Sequence, residues 1–194
     1  MKRRTRSLDA AYFEELYGRE ADPWGFETSA YEAGKYAHTI AVLGAQRARR
    51  GFELGCSIGV LTRSLAAACD ELISTDISQT VLDRARRRCA DLPNVTFQLA
   101  CGVGDGLEGR FDLIVLSEVV YYWDDADLDI IAEGVLRTLE PGGRLLLVHW
   151  LGETDYPRSG DDAVAALNHR LSGEFAIALA ERREAYRLDL WRRR

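Results

Sequence analysis

The sequence predicts an α/β fold with seven strands, in which helices cover a mostly parallel sheet that ends in an antiparallel hairpin. Three observations support this class. Apolar runs of strand length alternate with segments that carry apolar residues at helical spacing. Residues 111–116 form an almost continuous apolar run, which suits a strand covered on both faces. Residues 175–182 and 186–191 alternate apolar and polar positions around a short turn, as hairpin strands do.

The length and composition suit one domain with a buried core. The chain has 194 residues, of which 47% are hydrophobic. We therefore expect a single domain over residues 1–194. Within it we expect an N-terminal helical lid segment at residues 1–45 and a sheet core at residues 50–194.

Two helices are predicted in the N-terminal segment. Residues 1–7 are charged, and we expect them to be disordered. Apolar residues recur at near-helical spacing over residues 8–17, and a glycine follows as a stop signal. Ser29 and Glu32 then have the form of a capping box, which predicts a helix over residues 30–43.

The second of these helices has a predicted buried stripe. Tyr36, Ile40 and Leu43 recur at the spacing of one helix face. Tyr31 and Lys35 are expected on other faces.

The sheet core follows from residue 50. Strands are predicted at residues 52–54, 71–76, 94–99, 111–116, 144–150, 175–182 and 186–191. Helices are predicted at residues 60–69, after an N-cap at Ser78, from Asp124 to Leu139, and at residues 161–171.

The first core strand enters a glycine loop. Gly55 and Gly59 bound this loop, and a glycine permits both a sharp bend and the close approach of a ligand. Asp76 ends the next strand about 20 residues later, a spacing at which doubly wound sheets present a carboxylate to a ribose. The pattern G-x-x-x-G is not the G-x-G-x-x-G of dinucleotide sites, so a nucleoside-bearing cofactor without a pyrophosphate is favoured.

A wider pattern carries a family resemblance. The pattern E-x-G-x-x-x-G from Glu53 to Gly59, a strand that ends at Asp76, and residues 139–143 before a further strand resemble the class I S-adenosylmethionine-dependent methyltransferases. This resemblance implies a Rossmann-like fold and S-adenosyl-L-methionine as the cofactor.

The resemblance also implies roles for individual residues. The loop would hold the methionine part of the cofactor, Glu53 would help to orient its amino group, and Asp76 would bind both ribose hydroxyls. A helix N-cap is the alternative role for Asp76. Many relatives have an aspartate at the position of Cys101, so adenine would be recognised here by backbone groups. The full set of implied cofactor residues is Glu53, Gly55, Cys56, Ser57, Gly59, Asp76, Ile77, Cys101, Gly102 and Ser117.

A closer resemblance extends over residues 8–150. Motifs that include Asp22-Pro23-Trp24, Tyr31-Glu32 and residues 117–122 resemble the NodS group, the nodulation methyltransferases that N-methylate the sugar amine of lipo-chitooligosaccharide signals. This resemblance implies a small-molecule acceptor, with an amino sugar or a related amine as the first expectation.

Candidate acceptor and catalytic residues lie in the N-terminal segment and after two strands. Glu118 and His149 are the candidate catalytic bases, although a solvated acid and a structural histidine are the alternatives. The candidate acceptor-binding residues are aromatic, and core packing is their alternative role: Trp24, Tyr31, Tyr121 and Tyr122.

The net charge and the cysteine spacing disfavour nucleic-acid-binding proteins and zinc proteins. The net charge of −6 disfavours a nucleic-acid partner, and the arginines at positions 84 and 86–88 suit either a local basic patch or a solvated helix face. The four cysteines lack zinc-ligand spacing, so no metal site is expected. No membrane-spanning stretch or signal peptide is evident, which predicts a cytoplasmic protein with no membrane partner.

Other functions remain open at this point. An O-methyltransferase of another polar metabolite and a non-catalytic cofactor-binding module share the same fold. A nucleotide-dependent oxidoreductase is disfavoured by the missing dinucleotide pattern. The sequence does not indicate the oligomeric state.

Overall fold

A computed structural model describes residues 3–194, which divide into two compact units. Residues 9–101 form the N-terminal unit. Residues 3–8 and 102–194 form the C-terminal unit. The expectation of a single domain stays a prediction.

The N-terminal unit contains a parallel three-stranded arrangement with the order β3-β2-β1. Its elements are α1 (Ala10–Arg19), α2 (Ala30–Leu43), β1 (Ala48–Leu54), α3 (Val60–Ala66), β2 (Cys69–Asp76), α4 (Gln79–Arg88) and β3 (Val95–Leu99). Serine caps begin α2 and α4 as predicted, because Ser29 accepts from Glu32 N and Ser78 accepts from Val81 N.

Three local predictions in this unit need correction. Helix α1 begins after Asp9, whose carboxylate caps it by accepting from Tyr12 N. Helix α3 ends at Ala66, because Cys69 already belongs to β2. Lys35 was expected on a face of α2 other than the buried stripe, but its side chain is only 2% exposed and pairs with buried Glu32 at 2.9 Å.

The N-terminal segment is fastened to α4. Glu14 accepts hydrogen bonds from both the N–H and the hydroxyl of Thr80. The Arg84 guanidinium donates to the carbonyls of Tyr17 and Ala21, and Arg88 pairs with Glu27. Two arginines of the predicted basic run therefore hold this segment, and do not form a purely solvated face.

The C-terminal unit places two antiparallel strands beside a parallel pair, with the order β4-β5-β7-β6. Its elements are β4 (Phe111–Ser117), a 3-10 turn (Val120–Tyr122), α5 (Asp125–Thr138), β5 (Leu139–Trp150), α6 (Gly160–Leu171), β6 (Phe175–Arg182) and β7 (Tyr186–Arg193). Residues 113–116 of β4 are fully buried, as their apolar sequence predicted.

The first part of β5 departs from the predicted strand. Leu139 pairs with Phe111, and pairing resumes at Arg144 with Leu113. The intervening Glu140–Gly143 segment bulges out of the sheet, which a positive φ of 77° at Gly142 allows.

Residues 3–8 are ordered, which corrects the expectation of disorder over residues 1–7; Met1 and Lys2 lie outside the described residues. Arg4 N donates to Asp155 O at 2.8 Å, and the Arg4 side chain pairs with the same residue. Ser7 and Asp124 exchange hydrogen bonds, and Leu8 N donates to the Tyr122 carbonyl.

The predicted fold class is confirmed. Residues 3–194 contain seven mostly parallel strands, helices between them and a C-terminal antiparallel hairpin. No helix within residues 3–194 combines the length and apolar character needed to cross a membrane.

Candidate functional site

The glycine loop is the turn between β1 and α3 in the N-terminal unit. Gly55 and Gly59 both have φ of 80°, in the left-handed region that favours glycine. The N–H groups of Gly55 and Cys56 donate to the Thr75 carbonyl at 2.8 and 2.9 Å, so the loop is tied to the end of β2. A Cβ on Gly59 would lie 3.0 Å from Ala85 Cα, so a side chain there would require the α4 backbone to shift.

Asp76 lies at the end of β2 and is tied to this loop. One carboxylate oxygen accepts from Ser57 N at 2.8 Å and the other accepts from Ser78 N at 3.0 Å. Burial raises the pKa of Asp76 to about 6, against the lowering effect of these backbone donors. The cap of α4 is Ser78, so the structure does not use Asp76 as the N-cap.

Glu53 is a buried carboxylate on β1. Its Oε2 atom accepts from the hydroxyls of Thr62 at 2.7 Å and Ser74 at 2.8 Å. Burial raises the pKa of Glu53 to about 7, although the two hydroxyl donors oppose this shift. The residue therefore titrates near neutral pH in the folded protein.

Ser57 is held by a residue that the sequence reasoning did not select. Its φ is 48°, which is uncommon for a residue with a side chain. The Tyr17 hydroxyl lies 2.6 Å from the Ser57 hydroxyl, and the Tyr17 ring packs edge-on against Trp24. Tyr17 lies within the residues covered by the NodS resemblance, but it was not among the predicted site residues.

The other predicted residues of the N-terminal unit differ in exposure. Cys56 is buried, Ile77 is half-buried and Cys101 is exposed. Trp24 is half-buried and stacks on Phe26. The predicted acceptor residue Tyr31 is 39% exposed, and the Lys35 ammonium lies 5.3 Å from its ring centroid.

Glu118 follows β4 in the C-terminal unit, directly after the buried Ser117. Its φ of 58° is in the left-handed region. Its Oε2 atom accepts from the Tyr121 hydroxyl at 2.6 Å and from Trp150 N at 2.8 Å. The carboxylate is therefore held in place by a side-chain donor and a backbone donor, and is not a freely solvated loop acid.

The aromatic residues near Glu118 pack on one another. Tyr121 and Tyr122 are less than 10% exposed, and both rings contact Tyr156, at centroid distances of 5.3 and 4.8 Å. His149 is fully buried, and its Nε2 atom accepts from Val120 N at 3.3 Å. This contact gives that nitrogen a structural role.

No group of three or more His, Cys, Asp or Glu side chains within residues 3–194 is arranged to hold a metal ion. Gly102, which is also a predicted cofactor residue, is half-buried and begins the longer segment of the C-terminal unit.

Comparisons with known sequences place these residues in a family. The family described as Nodulation protein S (NodS) matches residues 13–182. The chain is 32% identical to Nodulation protein S of Rhizobium tropici over 127 residues. The aligned region covers 64% of this chain and 53% of that protein. The chain is 27% identical over 161 residues to Nodulation protein S of Bradyrhizobium diazoefficiens, which covers 81% of this chain and 72% of that protein.

Solved structures agree in fold. N-methyltransferase NodS of Bradyrhizobium japonicum WM9, in complex with S-adenosyl-L-homocysteine, matches with a TM-score of 0.80 at 21% identity, over 96% of this chain and 99% of that one. A protein of known structure from Pseudomonas syringae is 37% identical, with a TM-score of 0.75, over 85% of this chain and 100% of that one. Because the family match covers most of the chain, this protein belongs to the nodulation protein S family, as the resemblance over residues 8–150 predicted.

Proposed function

We propose that this chain is an S-adenosylmethionine-dependent methyltransferase that methylates an amine of a small molecule, with an amino sugar or an oligosaccharide amine as the first candidate. The observation that carries the proposal is the Asp76 carboxylate, which two backbone N–H groups hold beside the glycine loop. Family membership and the complex of NodS from Bradyrhizobium japonicum with S-adenosyl-L-homocysteine support it.

The residues of the N-terminal unit fit the cofactor. The Asp76 oxygens accept from Ser57 N and Ser78 N, and the remaining lone pairs of the carboxylate can accept from ribose hydroxyls. The glycines allow a ligand to approach the loop backbone. Glu53 supplies buried negative charge when ionised, which suits the cationic methionine part.

S-adenosylmethionine, when bound, supplies an electrophilic methyl group on its sulfonium. The acceptor nitrogen must be neutral when it attacks, so a protonated amine has to lose a proton first. Glu118 is the residue that we assign to this acceptor. Its carboxylate, held by Tyr121 and Trp150 N, can bind an ammonium group and accept its proton.

Glu118 is a better candidate base than His149. The Nε2 atom of His149 is already an acceptor from the backbone, whereas Glu118 is half-buried and carries a charge that attracts a cationic amine. Tyr121 donates to Glu118 and packs edge-on against Tyr122, so we assign this pair first to the support of Glu118.

Calorimetry with S-adenosylhomocysteine tests the cofactor. We expect the wild type to bind, and Asp76→Ala to weaken binding by more than about tenfold, because two charge-assisted hydrogen bonds are lost. Asp83→Ala removes an exposed carboxylate from α4 of the same unit, and should leave the affinity unchanged. Absence of binding to the folded wild type would overturn the proposed function.

A screen of amines and amino sugars tests the acceptor. Glu118→Gln should keep the affinity for S-adenosylhomocysteine and slow methyl transfer by at least about tenfold, the lower contribution of a general base. Glu153→Gln is the matched control, since it changes an exposed carboxyl of the same unit. Transfer to hydroxyl acceptors alone would replace the amine assignment, and cofactor binding without transfer to any acceptor would favour a binding module. The cytoplasmic location stays a prediction.

A further inference from the structure

We propose that Tyr17 is a positioning residue of the cofactor site, which acts through Ser57 to hold Asp76 in its ribose-binding orientation. This inference rests on the proposed function, because it concerns the same site. Tyr17 lies outside both the glycine loop and the strand that ends at Asp76.

Ser57 has a backbone conformation that serine seldom adopts. A residue with a Cβ rarely adopts a φ of 48°, whereas Gly55 and Gly59, two positions away on each side, have no such penalty. In this conformation the Ser57 N–H points at Asp76 and donates to Oδ2 at 2.8 Å. The orientation of the carboxylate thus depends on a backbone geometry that serine does not favour by itself.

A contact with Tyr17 holds Ser57 in this conformation. The Tyr17 hydroxyl lies 2.6 Å from the Ser57 hydroxyl, at the short end of the range for such hydrogen bonds. Tyr17 is only 3% exposed, and burial raises its pKa well above the ordinary value, so the hydroxyl keeps its proton. A neutral phenol can therefore either donate to Ser57 or accept from it.

Tyr17 is itself anchored by contacts between α1 and α4. Its carbonyl accepts from Arg84 at 3.2 Å, and Glu14 on the preceding turn of α1 accepts from Thr80. Both partners lie on α4, the helix that follows Asp76. Tyr17 is thus fixed by contacts outside the glycine loop, and it can hold Ser57 before any cofactor arrives.

The test compares Tyr17→Phe, Ser57→Gly and the double variant by calorimetry with S-adenosylhomocysteine. Tyr17→Phe should weaken binding about three- to tenfold, the value of one hydrogen bond. Glycine adopts φ of 48° without strain, so Ser57→Gly in the Tyr17→Phe background should restore most of the affinity. Tyr12→Phe removes the same hydroxyl elsewhere on α1, and should bind like the wild type.

The pH dependence of binding is a second readout that a general packing defect would not move. Loss of the Ser57 donor raises the pKa of Asp76, so the pH below which affinity falls should be higher in Tyr17→Phe than in the wild type. Ser57→Gly should return it. Thermal unfolding of each variant reports whether the chain folds.

Two outcomes would overturn the inference. Tyr17→Phe could bind as tightly as the wild type, or the double variant could bind as weakly as Tyr17→Phe alone, which would mean that Tyr17 acts by another route. Both outcomes require that the wild type binds. A wild type that does not bind S-adenosylhomocysteine would instead overturn the proposed function, so the two failures are distinguishable.

Discussion

Replacing Glu53 by glutamine should make the protein progressively more stable relative to the wild type as the pH rises from acid to neutral. Glutamine keeps an oxygen that can accept from Thr62 and Ser74, but it cannot ionise. In the wild type, the buried carboxyl has a pKa of about 7, whereas its ordinary value is 4.5. Between these values the folded chain holds a proton that the unfolded chain has released, so the free energy of unfolding falls as the pH rises.

The size of the effect follows from the two pKa values. Each pH unit over which the folded and unfolded chains differ by one proton is worth about 1.4 kcal/mol. The interval from 4.5 to about 7 therefore corresponds to a loss of roughly 3 kcal/mol in the wild type. This loss is absent in Glu53→Gln. Any constant cost of the amide cancels when the two proteins are compared at several pH values.

Urea denaturation followed by circular dichroism, from about pH 4 to about pH 8, measures this difference. The gap between the variant and the wild type should widen from pH 4.5 to pH 7 and then stay constant. Glu133→Gln, an exposed position on α5, should run parallel to the wild type throughout. A gap for Glu53→Gln that does not change with pH would refute the reasoning.

Three further predictions use the caps and the ribose acid. Affinity for S-adenosylhomocysteine should fall about tenfold per pH unit below the Asp76 pKa of about 6, because protonation of Asp76 removes a hydrogen-bond acceptor for the ribose. If calorimetry finds the same affinity from about pH 5 to about pH 8, Asp76 is not the ribose-binding residue. Ser78→Ala should lower the free energy of unfolding by about 1 kcal/mol in urea denaturation, through loss of the α4 cap. Asp124→Ala should cost about as much, roughly 1 kcal/mol, and should also speed hydrogen exchange at Ser7; exchange that stays at the wild-type rate argues against the contact.

The elements that the sequence predicted correctly are those with local signals. The N-caps Ser29 and Ser78 accept hydrogen bonds from their own first helical turns. The loop between β1 and α3 is marked by glycines, because its backbone adopts positive φ at Gly55 and Gly59. The terminal hairpin follows from alternation over a few residues. Each of these signals acts over fewer than about ten residues, which is the range that periodicity and capping rules describe.

The features that the sequence did not reveal depend on distant partners. Ser57 lies 40 positions after Tyr17, and no local pattern links their hydroxyls. The burial of Lys35 requires Glu32 to be buried beside it, against the usual exposure of both residue types. The site roles of Glu118 and Asp76 stay predictions, although the structure gives both carboxylates fixed hydrogen-bond donors.

The contacts of residues 3–8 have a consequence for synthesis on the ribosome. The Ser7 partner lies 117 positions later in the chain, and the Arg4 partner lies 151 positions later. Residues 3–8 therefore cannot form these contacts until the chain has been translated as far as Asp124 and Asp155. Contacts of such long sequence separation form slowly. In a nascent chain, residues 3–8 should become resistant to protease only after Asp124 and Asp155 have left the ribosome.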